Sequence, residues 1–285
     1  MQIIVAKHAG FCYGVKRAYD MTLAFKEEHP DQKVYTYGDL IHNNQVLASL
    51  EEKGIYNSEK VGDLDSKLLV IRAHGVDPSI VSDAREKGFV IRDATCPYVK
   101  KIHVIAKRAY DRGDFVVIIG DAKHPEVIGI VGNCRDRCKV VADLSEARAF
   151  LDEYLGGKRS DSVSLVAQTT FNEEKYHEII REFRENLPNF TEHNTICSST
   201  EERQRELREL AGICDFIIVL GGKHSSNTKK LYEILISLEK KAIHIEKKSE
   251  IRFELLENCD KIGIVAGAST PQESIDEIVE FLATY

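Results

Sequence analysis

Residues 96–126 read CPYVKKIHVIAKRAYDRGDFVVIIGDAKHPE, and residues 197–227 read CSSTEERQRELRELAGICDFIIVLGGKHSSN. The two stretches align without a gap at an offset of 101 residues. Each is a cysteine, a helix-like segment, Asp-Phe, an apolar strand and a glycine turn. A long internal period of this kind settles the architecture before any single motif does. A looser third copy begins at Cys12 and runs through YGVKRAYDMTLAFKEEH and the strand VYTYG into GDLIHNN. Gly38 to His42, Gly120 to His124 and Gly221 to Ser225 each span four residues.

Every copy continues alike. A second apolar strand ends in a short polar turn: LLVIRAHG with His74, SLVAQTT with Thr169, IGIVAGAST with Ser269. A helix follows each turn, in PSIVSDAREKG, NEEKYHEIIREFREN and the segment from Pro271. Two of these helices lead through FVIRD and NFTEH into the next cysteine. The third lacks that continuation, and the N-terminal QIIVAKHAGFC supplies it, so the first strand is expected to complete the last module. The modules are expected at residues 14–95, 96–192 and 193–285, the last completed by residues 1–13.

Strands alternating with helical patterns of 10–18 residues predict an α/β fold with mainly parallel sheets. Continuous apolar strands fit sheets covered on both faces. Ligands of parallel sheets gather beyond the carboxyl ends of the strands, where every cysteine and polar turn of this chain falls. Pseudo-threefold symmetry of the modules predicts that Cys12, Cys96 and Cys197 converge.

The 285-residue chain carries a net charge of −7, with 43% hydrophobic and 30% charged residues. An acidic balance argues against general nucleic-acid binding. No apolar run reaches the roughly 18 residues that span a bilayer. Strand-like residues from Gln2 onward leave no room for a secretory leader, so a cytoplasmic location is expected. The seven cysteines are odd in number and widely spaced, which disfavours a disulfide framework. Cys134 and Cys138, in NCRDRC, are the one close pair.

Three convergent thiolates suit an iron–sulfur cluster; zinc with three cysteines is the competing metal. An isolated cysteine reads as a small buried hydrophobe, but packing seldom demands the same thiol in each of three modules. A helix N-terminus also favours the thiolate that a metal needs. His42, His74, His124, Thr169, Ser225, Asn227 and Ser269 stand in turns after strands. Such donors, with the free N–H groups of helix starts, suit a phosphate or diphosphate. Each alone reads equally well as a helix cap or turn residue. Lys123 and Lys223 read as solvated lysines. The copies place Asn44, Glu126 and Asn227 in one slot, so a single module carries an acid there, as a proton donor facing a shared ligand would be carried.

AGFCYGVKRA, IHNNQV, RAHGV, DATCPYV, GDAKHPEV, AQTT, NTIC, HSSNT and GAST, taken in order from residue 9 to 270, closely resemble the LytB/IspH family of 4-hydroxy-3-methylbut-2-enyl diphosphate reductases. The resemblance implies a trefoil of three α/β modules around a central [4Fe–4S] cluster. In that family pattern Cys12, Cys96 and Cys197 hold three irons, and the fourth, free of protein ligand, takes the substrate hydroxyl. It assigns His42, His74, His124, Ser225, Ser226, Asn227 and Ser269 to the diphosphate pocket, and Glu126 and Thr169, with His124 nearby, to proton delivery. The implied reaction is a two-electron reductive dehydroxylation of the allylic diphosphate to isopentenyl and dimethylallyl diphosphates. The chain departs from the family's variants at SSTEE and at the CRDRC pair, neither of which touches an implied ligand. No dinucleotide fingerprint such as GxGxxG is present, so electrons are expected from an external ferredoxin- or flavodoxin-like protein. A zinc hydrolase, or a diphosphate-binding protein without catalysis, remain as alternatives on the residues alone; iron content separates the first, and a dispensable Glu126 the second.

Overall fold

The computed structural model describes residues 1–62, 64–157, 162–187 and 189–284. Its strands form three four-stranded sheets, all parallel. The chain divides into two compact units. One comprises Met1–Lys16, Ile41–Lys53 and Ser198–Tyr285; the other comprises Arg17–Leu40 and Gly54–Cys197.

The second unit carries two sheets. In the first, β2 (Val34–Tyr37) and β4 (Leu68–Ile71) are central, flanked by β3 (Ile55–Ser58) and β5 (Val90–Asp93). In the other, β6 (Phe115–Ile119) and β8 (Val163–Ala167) are central, flanked by β7 (Cys138–Val141) and β9 (Phe190–Glu192). The first unit holds β1 (Gln2–Val5), β12 (Lys261–Ala266), β10 (Phe216–Leu220) and β11 (Ala242–Ile245), in that order. All three sheets therefore share one strand order, with β1 taking the edge that β5 and β9 occupy elsewhere. The three-module α/β architecture expected from the repeats is present.

The central strands β4, β6, β8 and β10 are buried along their length and the edge strands are partly exposed, which is why FVVII and FIIVL are unbroken apolar runs whereas CKVV and AIHI are not. β3, β7 and β11 have no counterpart among the strands expected from the sequence. Each has four residues, and their mixed composition gives no usable period.

Helix starts follow local chemistry. Asp77 caps α3 (Pro78–Glu86), Asp143 caps α6 (Leu144–Gly156) and Asn172 caps α7 (Glu173–Asn186), each accepting a backbone N–H of the first turn. Proline at the first position pre-sets φ in α3, α4 (Pro97–Arg112) and α5 (Pro125–Cys134), where its missing N–H is not needed. α4 ends on Gly113 at φ 91°, a left-handed cap that glycine takes without strain. α6 and α7 close one face of the second sheet through Phe115, Phe150, Tyr154 and Phe183, with ring pairs 5.4–6.1 Å apart. Each such ring contributes about 1.5–3 kcal/mol by leaving water. That packing anchors the sheet from the amino end of β6, and the polar turns begin at the carboxyl ends of β6 and β8.

Candidate active site

The three cysteines share a local geometry. Cys12 precedes α1 (Tyr13–Glu27), Cys96 is the N-cap of α4, and Cys197 precedes α8 (Ser198–Ile213). Each backbone N–H is spent on the turn after a central strand: Cys12 on the Ala268 carbonyl at 3.1 Å, Cys96 on Ala73 at 2.9 Å, Cys197 on Thr169 at 3.0 Å. The bond fixes each Cα against a strand end while the thiol stays partly exposed, and none of the three is in a disulfide. The Cys96 side chain makes no capping bond. Cys134 and Cys214, in contrast, are buried among apolar side chains, and burial raises the Cys214 thiol above its ordinary value.

In the unit spanning Gly54–Cys197, four of the expected site residues meet. Glu126 is in the first turn of α5 and only 2% exposed. Its Oε1 accepts the Thr169 backbone N–H at 2.7 Å, and its Oε2 accepts the Thr169 hydroxyl at 2.6 Å. Burial pushes the carboxyl up to about 7, against the opposing pull of the two Thr169 bonds. A carboxyl at that value is a proton donor near neutral pH. His124 caps α5, its Nδ1 accepting the Glu126 backbone N–H at 3.2 Å, which leaves Nε2 as the protonated nitrogen of the neutral ring. The His74 ring meets His124 edge-on at 5.5 Å.

Two supports were not legible in the sequence. Gln168, buried, accepts the Asp121 backbone N–H and donates to the Thr170 hydroxyl. It thereby staples the turn carrying His124 to the turn carrying Thr169. Thr195 accepts the N–H of Ala167 and donates to its carbonyl, pinning the segment ahead of Cys197 to the end of β8. Gln168 stands just past the apolar strand β8, the only signal the sequence offered, and Thr195 carries none.

The other unit gathers the remaining donors. Ser225 caps α9 (Ser226–Ser237), with Ser226 and Asn227 in the first turn. Asn227 is 5% exposed, and its Nδ2 has no hydrogen-bond partner. A buried unsatisfied donor costs about 1–3 kcal/mol, a cost that an anionic acceptor offsets. The Ser269 hydroxyl donates to the His42 carbonyl at 3.2 Å, which ties the start of α2 (Asn44–Glu52) to the turn after β12. The N-termini of α2 and α9 are helix starts, whose N–H groups suit phosphate oxygens. Lys223 is exposed and ion-paired with Glu250. Behind Cys12, the buried Arg203 donates to the Gly10 carbonyl at 2.7 Å, a support that ERQRE did not betray.

The turns also correct the repeat register in two places. Gly75, Phe171 and Thr270 each donate to the residue three before, Arg72, Gln168 and Gly267. Equivalent positions are therefore His74, Thr170 and Ser269, so Thr169 matches Ala73 and Ala268 instead. In the first module Asn43, not His42, caps the helix, accepting the Val46 N–H, because that loop holds one extra residue. The slot of Glu126 is then occupied by Gln45 and Asn227, in place of the expected Asn44. An acid still stands there in one module only.

Residues 3–283 match the LytB protein family. The chain is 40% identical over 284 residues to a 4-hydroxy-3-methylbut-2-enyl diphosphate reductase of Caldanaerobacter subterraneus subsp. tengcongensis, covering 98% of this chain and 96% of that one. A protein of the same name from Clostridioides difficile is 42% identical, with 99% of each chain covered. Among solved structures, the E-1-hydroxy-2-methyl-but-2-enyl-4-diphosphate reductase of Plasmodium falciparum superposes with a TM-score of 0.92 at 26% identity, over 99% of this chain and 88% of that one. A second, described as the terminal enzyme of the non-mevalonate pathway, gives 0.71 at 36% identity with both chains fully covered. The chain belongs to the LytB protein family.

Proposed function

We propose that this chain is a 4-hydroxy-3-methylbut-2-enyl diphosphate reductase, the last enzyme of the methylerythritol phosphate route to isoprenoids. It consumes two electrons and two protons, expels the allylic hydroxyl as water, and yields isopentenyl and dimethylallyl diphosphates. Its full-length likeness to relatives of that name supports the reading. The observation that carries it is the buried Glu126–Thr169 pair, a proton source placed where the sheet presents its polar turns.

Three partly exposed thiols, each positioned by its own backbone bond before a helix, are a donor set that fits a [4Fe–4S] cluster. Cys12, Cys96 and Cys197 would hold three irons and leave one without a protein ligand. Bound there, the cluster would supply electrons and Lewis-acid polarisation of the leaving oxygen. The protein does the rest. His42, His74, His124, Ser225, Ser226, Asn227 and Ser269 bind the diphosphate, with the α2 and α9 N–H groups. Thr169 is the relay: its hydroxyl donates to the ionised Glu126, and accepts when the carboxyl is protonated. A proton thus moves from Glu126 through Thr169 Oγ1 toward the substrate without bulk water. His124 holds the Glu126 backbone and adds a second polar ring.

Residues 14–95, 96–192 and 193–285 with 1–13 serve as the three modules, one sheet each. The electron donor is an external ferredoxin- or flavodoxin-like protein, since the chain has no flavin or dinucleotide motif. No helix among the described residues is long and apolar enough to cross a membrane, and a cytoplasmic site of action accords with that.

The test is anaerobic incubation of iron-loaded protein with the hydroxylated diphosphate and a chemical reductant. Both five-carbon diphosphates should appear at two electrons per turnover. An intact cluster with no product would overturn the reading.

A further inference from the structure

We propose that Cys134 and Cys138 are a dithiol–disulfide couple, a modification site apart from the cluster cysteines, oxidised by thiol–disulfide exchange with a small disulfide such as oxidised glutathione. The proposal does not depend on the reductase reading.

Four observations carry it. First, Cys138 packs against the apolar cluster that contains Cys134, and each thiol donates to a carbonyl of its own segment, Cys134 to Ile130 and Cys138 to Arg135, both at 3.5 Å. Second, the chain between them is folded to bring them together: Arg135 has φ 51°, and Arg137 donates its N–H to the Cys134 carbonyl at 3.1 Å. A non-glycine residue at positive φ is uncommon and strained, so this reversal is held by its surroundings. Cys138 is then fixed in register beside Val116 as the first residue of β7. Third, the two thiols differ in access. Cys134 is fully buried in the cluster of Ile102, Ile130 and Val166, whereas Cys138 is partly exposed next to exposed Arg135, Asp136 and Arg137. Fourth, no third His, Cys or acidic side chain among the described residues stands close enough to complete a metal site with them.

The asymmetry fixes the order of events. Cys138 is the accessible thiol and Cys134 the buried one, so Cys138 is the attacking thiolate. The neighbouring Cys134 holds the Cys138 thiol below its ordinary value, while Cys138 and burial push Cys134 up. Its sulfur attacks one sulfur of the glutathione disulfide, forming a mixed disulfide and releasing one glutathione thiolate. The Cys134 thiol gives up its proton and attacks the Cys138 sulfur, closing the protein disulfide and releasing the second glutathione. Two protein thiols lose two electrons, and one small disulfide becomes two thiols. The couple terminates α5, whose first turn carries Glu126, about 12 Å away along the helix. Oxidation alters the C-terminal cap of that helix and leaves the cysteines that open helices untouched.

The test uses cluster-loaded protein held anaerobically with oxidised glutathione, then denatured, alkylated and digested with trypsin. Cleavage after Lys123, Arg135, Arg137 and Lys139 frees HPEVIGIVGNCR and CK as separate peptides. They remain joined only if Cys134 and Cys138 are bonded. The expected result is the joined pair as the main form of both peptides in monomeric protein, lost on adding dithiothreitol. In Cys134→Ser, Cys138 should accumulate bearing one glutathione; in Cys138→Ser, Cys134 should stay an unmodified thiol. Full alkylation of both cysteines in treated wild-type protein overturns the proposal. So does a wild-type Cys138 that stops at the mixed disulfide, or a joined pair found only between two chains.

Discussion

Thr169 donates twice to Glu126, from its backbone N–H to one carboxylate oxygen and from its hydroxyl to the other, at 2.7 and 2.6 Å. The two bonds favour the charged carboxylate, yet burial outweighs them and leaves the group at about 7. The site therefore holds an acid that is half-ionised near neutrality, with a hydroxyl able to pass its proton on.

Glu126→Gln keeps the shape and one acceptor oxygen but removes the acidic proton. Single-turnover reduction should slow by about 10²–10⁴-fold, the usual loss for a positioned general acid. In the wild type, the same rate should fall as pH rises above about 7, where Glu126 ionises, and Glu126→Gln should lack that limb. Near-normal turnover in the mutant removes Glu126 from the mechanism.

Glu126 also marks the stability profile. Its carboxyl is ordinary at 4.5 in the unfolded chain and near 7 when folded, so the folded state holds a proton that the unfolded state releases between those values. Its contribution is full below 4.5 and lost as pH rises through 7, a difference of about 3 kcal/mol. Denaturant melts across pH 5–8 should show that decline in wild type and a flatter profile in Glu126→Gln. Parallel profiles would mean the carboxyl is already ionised at pH 5.

Cys12→Ser, Cys96→Ser and Cys197→Ser should each lose most of the bound iron in protein purified anaerobically. Cys214→Ser should retain it, because that thiol lies in the apolar cluster under β10 and faces Gly263. About four irons with matching sulfide are expected in the wild type, as for any cubane. Iron loss in Cys214→Ser with retention in Cys197→Ser would break the equivalence of the three modules.

That equivalence is the part of the molecule the sequence displays best. The gapless match of residues 96–126 with 197–227 is a consequence of β6 and β10 being central strands, buried on both faces and therefore apolar throughout. Edge strands escape the same reading, since CKVV and AIHI share their burial between core and solvent. The site residues are legible as types because each copy must place polar groups beyond a strand end. Their register is not. One inserted residue before Asn43 and the turn bond from Phe171 to Gln168 are backbone facts, invisible to composition. Gln168 and Arg203 act through carbonyls, N–H groups and a hydroxyl of neighbouring segments, and nothing in QTT or ERQRE distinguishes them from surface polar residues.

Asn227→Leu tests the pocket in a way that alanine does not. The buried Nδ2 has no partner, so replacing the amide by an apolar group of similar size removes an unsatisfied donor. Stability of the ligand-free protein should hold or rise by about 1 kcal/mol, while diphosphate affinity falls by about 1–3 kcal/mol. Calorimetric titration with the diphosphate, beside a thermal melt, reads both. A loss of stability with unchanged affinity would make Asn227 a structural residue.

Gly222 sets how closely the turn ahead of α9 approaches the 42–43 segment. A Cβ built there stands 2.5 Å from the His42 carbonyl oxygen and 3.7 Å from the Asn43 Cα, both of them backbone. Neither can swing aside as a side-chain tip would, so Gly222→Ala must displace the 42–43 segment. That carbonyl accepts the Ser269 hydroxyl, and Asn43 caps α2, so both bonds are strained together. The expected cost is about 1–3 kcal/mol of stability, as for overpacked cores, with weakened diphosphate binding. Gly212→Ala is the control: it lies in α8 with nothing within 4 Å of its added methyl, and should stabilise by about 0.5–1 kcal/mol with affinity unchanged. If Gly222→Ala bound the diphosphate as tightly as wild type, His42 and Ser269 would not belong to the pocket, because the substitution cannot leave their shared bond intact.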